Sequence, residues 1–279
     1  MRACMIESAP ESQHTCQNCG NRFSGLYCNL CGEKVLLPSD RSFKTFLSNI
    51  LIAITFADSK FIKTLWLVIS QPGFVSWEFA NGRRVKYLKP ISLFFVLNLI
   101  YFLFPVIQLF NATFDTQLAS VYGRLIQEMI ANKAVALGYG LDAFKVVYNT
   151  KTLGLAKLLV MVFVVISSLP LNLLYYKRNR YFTDHVGYMV EAACFNLFVN
   201  TLALTLVVRL FGLGGYLDET GLTFFFIGTN LYFFLRSGSR FYQERGWKLV
   251  VKALVMIVFL KISLEVYRLI LFFVTMWAL

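Results

Sequence analysis

The sequence predicts an all-α polytopic membrane protein, with about five membrane-spanning helices behind a small metal-bound head. Three observations carry that expectation. The chain of 279 residues is 57% hydrophobic and only 15% charged, where soluble globular chains carry roughly 25% charged residues. Long apolar runs rich in Phe recur from the middle of the chain to its end, and the mean hydropathy is +0.61. Ahead of them stand two Cys-x-x-Cys-Gly motifs, Cys16 to Gly20 and Cys28 to Gly32.

The head comes first. Residues 1–15 read as a disordered tail and residues 16–34 as a zinc knuckle. Cys16, Cys19, Cys28 and Cys31 supply four thiolates, enough for one tetrahedral zinc and with no open position for catalysis. An iron centre of the same ligand set stays open as a second reading. The Gly after each pair permits a tight turn that aims backbone amides at sulfur. Such a clip folds a segment too small to have its own core, and it offers a surface to a protein partner. Reduced thiols place the head in the cytoplasm. Residues 1–40 are polar and carry no secretory signal.

A linker with Pro38 follows, where Ser39 or Asp40 can cap the next helix. Residues 43–57 and 61–70 are apolar but too short to cross a bilayer. They read as interfacial helices, with Trp66 and Trp77 at headgroup level, and Gln71-Pro72-Gly73 ends the second. Residues 43–90 close on a basic turn holding Arg83, Arg84, Lys86 and Lys89.

Residues 91–279 then read as the transmembrane domain, since about 20 apolar residues cross the hydrocarbon core. Its expected spans are residues 91–109, 153–175, 186–210, 222–235 and 249–277, the fourth short enough to be re-entrant. Residues 110–152 form a long outer loop with an amphipathic helix over 117–135, read from the spacing of Leu118, Val121, Leu125 and Met129. Lys177, Arg178 and Arg180 follow the second span, and Arg236, Arg240, Arg245 and Lys248 precede the last. Asp218 and Glu219 lie on the opposite side. The positive-inside rule then puts the N-terminus in the cytoplasm and the C-terminus outside a bacterial inner membrane.

Two groups of charges invite a function. Arg83, Arg84 and Lys86, with Lys177, Arg178 and Arg180, can meet anionic lipid headgroups; topology alone also accounts for them. Glu191, Lys261, Glu265 and Arg268 lie within expected spans. Charges there face a bundle interior or a wet cavity, so they read as a polar path, or else as internally neutralised pairs. The net charge of +12 argues for no nucleic-acid partner, because no basic stripe is interleaved with exposed aromatics. Neither a phosphate loop, a nucleophile elbow nor a His-Glu-x-x-His helix is present, so no residue nominates an enzyme.

One more pattern runs along the chain. After the cysteine pairs come Asp58 and Thr64, then Gln71-Pro72-Gly73, then Gly82-x-Arg84-x-x-Tyr87-x-x-Pro90. An aromatic–His185 step follows, and last Tyr232, Tyr242 and Trp247-Lys248. The order resembles a bacterial family of integral membrane proteins with an N-terminal zinc-ribbon half, classed as a domain of unknown function. That resemblance implies architecture and an inner-membrane location, and no activity. The expected function is a non-enzymatic accessory or assembly subunit of a larger inner-membrane complex, bound to membrane lipids and partner subunits. The alternative is a small transporter or lipid-handling protein.

Overall fold

The computed structural model describes residues 13–16, 18–32, 35, 59–83, 86–103, 110, 112–178, 180–212 and 219–279. The expected helix over 43–57, the linker, most of the tail and Arg84 lie outside the described residues. The chain divides into two compact units, Met1–Asp58 and Ser59–Leu279.

The first unit is a β-hairpin with two knuckles. Strands β1 (Gln13–Thr15) and β2 (Arg22–Ser24) pair antiparallel, His14 opposite Phe23. Among its described residues Cys16, Phe23 and Cys28 are buried, with Val35 against them.

The second unit is helical. α1 (Ser59–Ser70) ends at the expected Pro-Gly break. Gly73 turns the chain there with φ 80°, and a Cβ at this position would come within 2.7 Å of the Ser237 Cα. Only Gly fits such an approach in the left-handed region. α2 (Phe74–Ala80) follows. The basic turn is tied back to α1 by Thr64, whose hydroxyl accepts the Leu88 N–H at 2.9 Å. α3 (Pro90–Leu103) opens on Pro, the residue whose missing N–H costs least at a helix start, and buries Leu93, Phe94, Leu97 and Tyr101.

The expected outer loop is largely helix. α4 (Phe114–Leu118) and α5 (Gly123–Ala136) precede α6 (Leu141–Leu174), which therefore starts twelve residues before the expected span at 153. α5 is amphipathic as expected but buries a different row. Ile126, Ile130 and Ala134 pack on Phe144, Tyr148 and Phe272, while Val121 is 95% and Leu125 80% exposed. The turn between α4 and α5 breaks the 117–135 repeat, and α5 has apolar residues on two faces, between which spacing alone does not choose.

α7 (Phe182–Phe195) runs without interruption through a π-helical stretch, Asn196–Ala203, into α8 (Leu204–Leu210). The Asn196 amide donates to the Ala192 carbonyl and to Asn230 Oδ1, and Thr201 donates to the Leu197 carbonyl. These side-chain bonds lie where the regular ladder widens. α9 (Glu219–Phe241) and α10 (Trp247–Ala278) complete the unit. α6 and α10 lie antiparallel: Thr152 meets Thr275 at 3.2 Å, Phe163 stacks near Tyr267, and the Lys252 ammonium sits over the Tyr175 ring.

Among the described residues two helices, Leu141–Leu174 and Phe182–Leu210, are long and apolar enough to cross a membrane. The other three expected spans do not meet that description. α3 is apolar but has 14 described residues. α9 is diluted by Thr, Asn and Arg. α10, at 32 residues, is long enough but carries Lys248, Lys252, Lys261, Glu265 and Arg268.

Candidate functional site

The four-cysteine cluster is the tightest constellation. The Sγ atoms of Cys16, Cys19, Cys28 and Cys31 all lie within 4.8 Å of one another. Two edges measure 3.4 Å (Cys16 to Cys31) and 3.7 Å (Cys19 to Cys28). A tetrahedron of thiolates around an ion with metal–sulfur bonds near 2.3 Å has edges of about 3.8 Å, so the donor set fits a metal ion. Gly20 and Gly32, at φ 73° and 77°, donate their N–H groups to the Cys16 and Cys28 carbonyls at 2.9 and 2.8 Å. Backbone amides of Cys31 and Leu30 hold the Cys28 thiol down to about 6. At Cys19 the Asn21 amide pulls the other way, but burial and the other three thiols push the group up to about 12. Four thiolates this close would repel one another, and a cation among them would relieve that repulsion. His14 is not in the set; its ring lies against Phe23.

Glu191 occupies the centre of the helical unit and is fully buried on α7. Its carboxylate accepts the backbone N–H of Gly73 at 2.8 Å and that of Ser76 at 2.7 Å, and also the Ser76 hydroxyl. It thereby caps the start of α2 from another helix, filling the role an N-cap side chain plays locally. Sequence reading placed Glu191 in a polar path and missed Ser76 and Gly73 as its partners. The Pro-Gly turn was the available signal, since exposed N–H groups after such a turn need an acceptor.

Lys261, Glu265 and Arg268 form a separate group on α10. Glu265 Oε1 takes Lys261 at 2.9 Å and Arg268 at 3.4 Å. Glu265 Oε2 and Arg268 Nε are buried without a partner. Gln117 of α4 reaches the Arg268 carbonyl at 3.1 Å and accepts the Tyr122 hydroxyl. Nothing among the described residues joins Glu191 to this group. Glu191 holds Gly73, which lies against Ser237; next to Ser237, Gly238 lies against Leu249, and Glu265 is sixteen residues, about 24 Å, further along α10. The expected path through all four charges is therefore not assembled.

The basic residues divide by what they touch. Arg83 gives two hydrogen bonds to Glu78 Oε1, at 2.9 and 2.6 Å, and covers the Trp77 ring. The Glu78 hydrogen bond holds its pKa above the usual arginine value. Lys86 is exposed. Lys177, Arg178 and Arg180 do converge, lining a cleft of about 340 Å3 with Phe241, Tyr242 and Gln243. Beside it Arg178 pairs with Glu244, which lies outside the lining, at 3.2 Å, and Lys252 pairs with the same carboxylate at 2.8 Å. The Lys252 hydrogen bond holds the Glu244 carboxyl below its ordinary value, with help from Arg178. Arg180 lies over the Phe241 ring, and Lys177 has no acidic partner among the described residues. Two expected lipid contacts, Arg83 and Arg178, thus have carboxylates of their own. Beneath the cleft, Tyr242 stacks on Tyr175 at 3.6 Å and shares a 2.7 Å hydrogen bond with His185 Nδ1.

No curated protein and no solved structure matches the chain. A family described as Protein of unknown function (DUF3667) matches residues 58–102. That stretch holds α1, the Pro-Gly turn, α2 and nearly all of α3. It is similar to the family in the part of the molecule whose backbone Glu191 receives.

Proposed function

We propose that this protein is a non-enzymatic subunit of a larger bacterial inner-membrane complex. It docks on that complex through α10 and carries a zinc head in the cytoplasm. In this reading α3, α9 and α10 join the two long apolar helices as about five spans.

One observation carries the reading. Tyr267 of α10 packs by Phe163 of α6, and Lys261 lies six residues before it, about 9 Å further inward. This places Lys261 level with Leu169, inside the apolar stretch 153–175 of α6. Its side chain is 68% exposed. A charge facing lipid at the centre of a span costs about 2.5–3.5 kcal/mol on insertion scales. A partner helix with an acidic or carbonyl acceptor removes that cost. Leu26, Tyr27 and Leu30 are exposed on the head and give a second contact surface.

Purification from native membranes in mild detergent, with mass spectrometry of the eluate, tests the proposal. A stoichiometric integral membrane protein is expected, lost when Lys261, Glu265 and Arg268 are all changed to Leu. The chain eluting alone would contradict it.

A further inference from the structure

A second cleft, of about 420 Å3, lies among α2, α3, α6 and α7. Phe79, Ala80, Ile91, Met161, Val186 and Val190 form its walls. Ser76 lines its depth, but that hydroxyl is already given to Glu191. The polar groups left for a ligand are at the exposed end, on Lys89, Thr183 and Asp184. Lys89 is exposed and has no acidic partner among the described residues. Asp184 Oδ2 accepts the Tyr181 N–H at 3.2 Å, which leaves its other oxygen uncommitted.

An apolar slot with one ammonium and one carboxylate at its mouth has the complement of a zwitterionic amphiphile. We infer that the cleft binds one glycerophospholipid whose headgroup carries both a phosphate and a primary amine. Lys89 meets the phosphate, Asp184 meets the ammonium, and the start of an acyl chain lies between Met161, Val186 and Val190. The size suits a headgroup and part of one chain. Discrimination follows from the same pair: an anionic headgroup without an amine leaves Asp184 facing its negative charge, a repulsive element of the kind that sets specificity. The site is separate from the Lys177–Arg180 cleft, whose lining is cationic and carries no carboxylate. The inference rests on α3 and α7 crossing a membrane and is independent of any partner on α10.

The test uses the full chain in nanodiscs of equal phosphatidylethanolamine and phosphatidylglycerol, followed by native mass spectrometry of the lipid that stays bound. One phosphatidylethanolamine per chain is expected. Lys89→Ala is expected to lower its occupancy about tenfold. Asp184→Asn should keep a bound lipid but lose the preference for the amine. Met161→Trp fills the slot and should abolish retention; if that variant is thermally unstable, Ile91→Trp fills it from the opposite wall. No retained lipid in the wild type would overturn the inference, as would retention in the bulk ratio or occupancy unchanged by Lys89→Ala and the filling variant. Failure of the chain to enter nanodiscs would overturn the membrane reading and this site with it.

Discussion

Replacing Glu191 with Ala should be the most damaging single change in the helical unit. The carboxylate accepts two buried backbone N–H groups and one hydroxyl from Gly73 and Ser76. A buried donor left without its acceptor costs about 1–3 kcal/mol. Three donors give a ceiling near 9 kcal/mol, but water entering the space left by the side chain recovers part of it, so about 4 kcal/mol is the expected loss. A unit of 150–250 residues loses roughly 2–4 °C of Tm per kcal/mol, which makes the shift about 8–16 °C. Thermal unfolding in mild detergent, read by reactivity of the buried Cys194 toward a thiol dye, measures it. Ser76→Ala removes one hydroxyl and leaves both N–H bonds in place, so its cost should be only about 1 kcal/mol. Glu191→Gln keeps one acceptor and should fall between the two. A Glu191→Ala protein melting within about 2 °C of wild type, less than one kcal/mol on this scale, would refute the capping role, as would a Ser76→Ala variant melting just as low.

Three further expectations follow from the geometry. Gly73→Ala combines a left-handed backbone with a Cβ 2.7 Å from the Ser237 Cα; it should cost at least the 1–2 kcal/mol or so of a non-Gly residue held there, read as a lowered Tm. Glu244 is held below its ordinary carboxyl value of 4.5 by Lys252 and Arg178, so its stabilisation is present above that pH and is lost as pH falls through the lowered native value. Between pH 6 and 3.5 wild-type Tm should therefore fall more steeply than that of Glu244→Gln; parallel curves would refute it. A strong chelator should abolish hydrogen-exchange protection across residues 13–32 and leave α6 and α10 unchanged, because the head's three buried side chains do not suffice as a core without metal.

The parts of the fold legible in the sequence were those with a local signature. Two Cys-x-x-Cys-Gly motifs announced the knuckles, and Gln71-Pro72-Gly73 announced the end of α1. Helices α6 and α7 announced themselves as long apolar runs. Their boundaries did not, because polar residues such as Asn149 and Lys151 continue α6 outward beyond its apolar part. The spacing of Leu118, Val121, Leu125 and Met129 predicts one amphipathic helix, yet only Leu118 of these packs on the cluster that the turn before Gly123 builds from Ile126 and Ile130. The pairing of Glu191 with Gly73 and Ser76 spans more than 110 residues of sequence and has no local trace. The grouping of Glu191 with Glu265 followed from both lying in apolar segments, which says nothing about depth. The packing of α9 on the Pro-Gly turn and on the start of α10 separates them.

The measurement that tests the central claim most directly is photo-crosslinking in living cells, from a benzoylphenylalanine placed at position 261 or at the neighbouring exposed position 258. Position 206, an exposed apolar site on α8, serves as the lipid-facing control. The account predicts one discrete protein adduct from 261 and 258, absent at 206 and lost when Glu265 and Arg268 are changed to Leu. Lipid adducts alone, equal at all three positions, would show that the charged face of α10 meets no partner.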